Sequence, residues 1–100
     1  MPMSTNNWIF KDGVTSQGTY NTFPDAFKAM FNTMKRGVER GRKYNEMLKQ
    51  LVIIAPTKDQ HGDFRKYDYM AATELAKSSD LLAPDGDINS NAFKKKRIDY

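Results

Sequence analysis

The chain has 100 residues, a formal net charge of +4, 39% hydrophobic and 28% charged residues, and no cysteine. That balance suits a single small globular domain over residues 1–100, marginally stable at about 5–10 kcal/mol, rather than a disordered chain. It excludes disulfides, thiolate nucleophiles and thiolate-held zinc. The longest apolar run, Leu51 to Ala55, is far short of the ~20 residues that cross a bilayer. Met1 to Asn7 has neither the basic nor the apolar region of a secretory signal. No membrane contact and a cytoplasmic location are therefore expected, with residues 1–6 and 88–100 read as flexible ends.

Asn7 to Lys11 reads as a strand with Trp8 and Phe10 on one face. Asp12-Gly13 is a two-residue turn signal and Ser16-Gln17-Gly18 a second. The longer loop is preferred, pairing residues 7–11 with 18–22. Two strands alone are marginal, so the ribbon must lean on a helix.

That helix starts at Thr22, a capping residue, with Pro24 and Asp25 in its first turn. Phe27, Met30, Phe31, Met34 and Val38 follow at helical spacing, and Gly37 and Gly41 are both candidate ends. Val38 continues the stripe, which puts the end nearer Gly41. Tyr44, Met47, Leu48, Leu51 and Val52 form a second stripe and predict a helix over 42–52, although Leu51 to Ala55 also passes as a buried strand. Pro56 ends the element. A third helix is expected from Asp63 to Ser79, with Phe64, Tyr67, Ala71, Leu75 and Ser78 inward. Leu81 and Leu82 then fold back before the turn Ala83 to Asp87. A short helix or a basic tail closes the chain.

The principal functional candidate is the elbow between the first two helices. Lys35-Arg36-Gly37-Val38-Glu39-Arg40-Gly41-Arg42-Lys43 carries five cations and one acid. Cations at a helix C-terminus favour the dipole, which accounts for Lys35 and Arg36. Arg42 and Lys43 would open the next helix, where positive charge is disfavoured, so phosphate binding by Lys35, Arg36, Arg40, Arg42 and Lys43 is the sharper reading. Lys94, Lys95, Lys96 and Arg97 are a second candidate, either a phosphate-gripping arm or a solvated terminus.

Weaker signals are a partial helix-turn-helix and an interleaving of rings and cations. Ala71 to Leu81 resembles the first helix and turn of such a unit, but Pro84 to Asp87 interrupt it, so a reading helix would have to be residues 90–97. Phe64 to Tyr69 alternates aromatic and basic residues, but on a helix Tyr67 and Tyr69 diverge, which favours ordinary packing over a stacking platform. The one histidine, His61, has Asp59 and Asp63 beside it, too few ligands for a metal. No nucleophile elbow or phosphate loop is present. Neither a cofactor, a metal nor catalysis is expected.

The expected fold class is α+β, an N-terminal β-hairpin packed on about three helices. Its core should include Trp8, Phe10, Phe27, Phe31, Met34, Leu48, Leu51, Tyr67 and Leu75, so that Phe31→Ala costs about 3–5 kcal/mol. Two functions compete. The first is a non-enzymatic accessory protein that binds nucleic acid or a nucleoprotein through the elbow and tail. The second is a protein-binding module or inhibitor, of the kind phages carry, docking on an acidic protein surface. The second class would also use apolar residues left uncovered, such as Ile9, Ile53 and Ile54. A homodimer follows if the second helix exposes its apolar face.

Overall fold

A computed structural model describes residues 7–93. The elements are β1 (Trp8–Asp12), β2 (Thr15–Tyr20), α1 (Phe23–Glu39), α2 (Tyr44–Gln50), β3 (Leu51–Lys58), β4 (Phe64–Asp68) and α3 (Tyr69–Ser78). Residues 90–93 form a further helical turn. The fold is α+β: a four-stranded sheet of order β2-β1-β3-β4, antiparallel throughout, with helices packed on one face.

The N-terminal hairpin closes at Gly13-Val14, not at the longer loop. Trp8 pairs with Tyr20 and Asp12 with Thr15, and a bulge at Phe10/Lys11 shifts the register. Gly13 stands at φ +66, as the tight turn requires. The bulge absorbs Gln17, so the second turn signal is a strand irregularity instead.

Two predicted helices are shorter than expected because β-strands claim part of each. The second stripe changes period at Leu51. Met47 is buried on α2, and from Leu51 onward burial alternates, with Leu51, Ile53 and Ala55 inside. Leu51 follows Met47 by four residues and begins the alternation, so it satisfies both periods. The β-branched run Val52-Ile53-Ile54 then favours the strand. The third helix begins at Tyr69. Asp68 ends β4 and caps α3 at once, its Oδ1 accepting from the Ala71 amide at 2.8 Å. The inward residues of α3 are therefore Tyr69, Ala72 and Ala76, while Phe64, Ala71 and Ser78 are exposed.

The α1 start is as expected. Thr22 caps it by accepting from the Asp25 amide at 3.3 Å. Its buried stripe is Phe23, Ala26, Phe27, Met30, Met34 and Gly37, and Val38 is half exposed instead. Phe10, Phe27, Met30, Met47, Leu51 and Ile53 are the largest fully buried side chains. Trp8, Phe31, Leu48, Tyr67 and Leu75 are only partly buried against that cluster. Phe27, not Phe31, therefore carries the full burial for which a cost of about 3–5 kcal/mol was expected. On α2, Met47 is fully buried and Leu48 packs partly against the core, while Tyr44 of the same stripe is 51% exposed.

Past α3, Leu81 is buried and Leu82 bridges to Ile88. Asp80, at φ +60, occupies the left-handed position that ends the helix, and the Leu81 amide donates to the Ala76 carbonyl at 2.9 Å. Of the tail expected to be flexible, Ile88, Ala92 and Phe93 pack against the core.

Candidate binding site at the helix corner

The elbow is a built corner. Arg40 caps α1, Gly41 takes φ +90, and the Arg42 amide returns to the Gly37 carbonyl at 2.8 Å while the Gly41 amide reaches Val38 at 3.1 Å. These are the two bonds of a Schellman motif, whose left-handed position favours glycine. Gly37 is buried for a second reason: a Cβ there would collide with Sδ of Met47. The missing side chain lets α2 approach α1. Lys43 caps α2 without a side-chain bond, and Glu46 supplies negative charge in the first turn.

The five elbow cations have three fates. Arg42 is structural. Its guanidinium donates to both carboxylate oxygens of Asp12 at 2.9 and 3.2 Å, and to Oε1 of Gln50 at 2.9 Å. A planar fork suits this bidentate grip. The bond to Asp12 raises the Arg42 pKa, against a smaller opposing effect of desolvation. Together with the Gly13 amide donating to the Gln50 carbonyl at 2.9 Å, it ties the hairpin turn to the end of α2. Lys35 lies 3.8 Å from Asp87 and 5.9 Å from the Phe31 ring centre, a loose and solvated pairing. Arg36, Arg40 and Lys43 are exposed, and among the described residues no carboxylate lies within ion-pair distance of them. Lys94, Lys95, Lys96 and Arg97 lie outside the described residues.

The remaining signals resolve into structure. Asp59 Oδ1 accepts from the amides of His61 and Asp63 at 2.9 and 3.1 Å, so this trio shapes the β3–β4 turn. Among the described residues no group of three or more potential ligands could hold a metal ion. Tyr67 faces the core beside Trp8 and Phe23, with centroids 6.4 and 6.1 Å away, and Tyr69 is buried at the start of α3. Burial, with a smaller contribution from Tyr44, pushes the Tyr69 hydroxyl up to about 12. Eleven residues, 79–89, separate α3 from the helical turn at 90–93 and include the Leu82–Ile88 bridge. That spacing excludes the tight turn of a helix-turn-helix, and the rest of the suggested reading helix lies outside the described residues.

One surface was only partly legible in sequence. Ile9, Val52, Ile54 and Pro56 are partly exposed, Phe64 is 47% exposed, and none of them belongs to the core cluster. All point away from the helices. Ile9 and Ile54 were expected as uncovered apolar residues, while Ile53, grouped with them, is fully buried. The signal was the unbroken apolar run of β3, where both alternate faces are hydrophobic.

No protein-family model, curated protein or solved structure matches this chain. Among the described residues no helix is long and apolar enough to cross a membrane.

Proposed function

We propose that this is a non-enzymatic accessory protein that holds nucleic-acid phosphates at the α1–α2 corner. One observation carries the reading: Arg36, Arg40 and Lys43 stand exposed and without carboxylate partners among the described residues. The frame that holds them is secured by the Arg42–Asp12–Gln50 contacts and the Gly37–Met47 approach. Fixing the backbone beforehand lowers the ordering cost of binding. Contacts of this kind read charge and spacing rather than base edges, so little sequence preference is expected.

The test is fluorescence anisotropy of labelled random single- and double-stranded DNA across salt. Three neutralised phosphates imply a log–log slope of about −2 on single strands and about −3 on duplex. The Arg36→Glu/Arg40→Glu/Lys43→Glu variant should lose this binding while keeping its melting curve. A Lys94/Lys95/Lys96/Arg97 to Gln variant separates any contribution of the tail. Absence of wild-type binding at low salt, or full affinity in the triple variant, overturns the reading. The same corner on an acidic protein surface would then be the alternative.

A further inference from the structure

The outward face of the sheet is apolar at its centre. Ile54 lies between Ile9 and Lys66 across the strands, and Val52 lies between Lys11 and Asp68. Toward the far end, the side chains of Asn7, Ile9, Thr19, Ile54, Pro56 and Phe64 border a cavity of about 200 Å³. We propose that this face docks an acidic amphipathic helix of a partner protein. The proposal is independent of the phosphate reading, because it uses none of the corner cations.

Four features support that occupant. A sheet that is hydrophobic on both faces needs a layer on each, and α1 and α3 supply only one. The apolar centre lies on β1 and β3, each of which already has a strand on both sides. Over Ile9–Asp12 and Val52–Ile54 their ladder groups are taken, so an incoming strand would find no partners there, whereas a helix brings its backbone bonds with it. The cavity suits one anchoring side chain and adjoins a more open depression of about 670 Å³ that shares Ile54 and Phe64 with it.

Charge selects an acidic partner. Lys11 and Lys66 flank the apolar residues, and Nζ of Lys58 sits 5.1 Å from the Phe64 ring centre. Arg65 and Asp63 stand beside Phe64 at the loop end. Asp68 caps α3 and Asp59 holds the His61 and Asp63 amides, so with Asp63 the rim sets three carboxylates against the four cations Lys11, Lys58, Arg65 and Lys66. Carboxylates flanking an aliphatic stripe would meet the lysines at the rim and leave the centre dry.

The experiment titrates the full-length ¹⁵N-labelled protein with two synthetic helical peptides. They share a Leu/Ile stripe, flanked by Glu in one and by Lys in the other. The Glu peptide should shift the amides of Ile9, Ile54, Phe64 and Lys66 and bind at least about tenfold tighter than the Lys peptide at low salt. Ile54→Glu should weaken it by about tenfold or more, with α1 amides unshifted to show a folded variant. The corner triple variant should bind as wild type does. Equal affinity for the two peptides, or shifts confined to other surfaces, overturns the proposal. So does a dimer in sedimentation that Ile54→Glu dissociates, since a second copy would then be the occupant. Binding that appears only after deletion of residues 2–6 also overturns it, because the chain's own N-terminus would then cover the face.

Discussion

The two faces of the sheet are built from the same four strands and are both apolar at their centre, yet they differ sharply in burial. Inward, Phe10, Leu51, Ile53 and Ala55 are at most 2% exposed beneath α1 and α3. Outward, Ile9, Val52, Ile54 and Pro56 keep part of their surface in water and Phe64 keeps 47%. Hydrophobicity does not distinguish Ile53 from Ile54; the placement of the helices does. A side chain's value to stability is set by the layer that lands on it, and among the described residues no element covers the outer face.

The strongest way to break this contrast is to truncate the two neighbouring isoleucines. Ile53→Ala should cost about 2–4 kcal/mol, through lost transfer energy and a cavity, whereas Ile54→Ala should cost under about 1 kcal/mol. Urea denaturation of both variants measures the difference. Equal losses would mean that the outer face is covered in the folded protein.

A smaller effect tests the layer beneath the inner face. Gly37→Ala places a Cβ against Met47, which is itself fully buried and has little room to yield. Overpacking costs about 1–3 kcal/mol and improved helix propensity returns about 1, so a net loss of about 1 kcal/mol is expected. A variant that melts higher than wild type would show that Met47 moves aside freely.

The smallest effect appears only at alkaline pH. Burial raises the Tyr69 hydroxyl from 10.0 to about 12, so the folded state favours the neutral phenol. Tyr69 therefore contributes its full stability below pH 10 and loses it as pH rises from 10 to about 12. The Tyr69→Phe variant should lose less stability than wild type across that window, in chemical denaturation at matched pH. Parallel curves would mean that the hydroxyl is solvated.

Much of the fold was legible where one local signal dominated. Thr22 and Pro24 mark the start of α1 because capping is satisfied within one turn. Gly41 marks its end because a positive φ excludes most other residues. After the misplaced hairpin turn, the first confusion of helix with strand came at Leu51, where the helical and alternating periods coincide and the β-branched run that follows, with pairing to Asp12 of β1, selects the strand. The second came at Phe64–Asp68, whose strand state depends on Tyr67 pairing with Ile53. The candidate site followed the same division. Five clustered cations can be counted in a sequence, but Arg42 differs from Arg40 through its bonds to Asp12, thirty residues away, and to Gln50.

The chain by itself determined its α+β class, the α1 stripe, the caps and the presence of a basic corner, because each rests on spacing within a few residues. Tertiary structure decided which apolar face is covered, where helices yield to strands and which arginine is spent on the scaffold. Those outcomes depend on partners far apart in sequence, which local propensity cannot see.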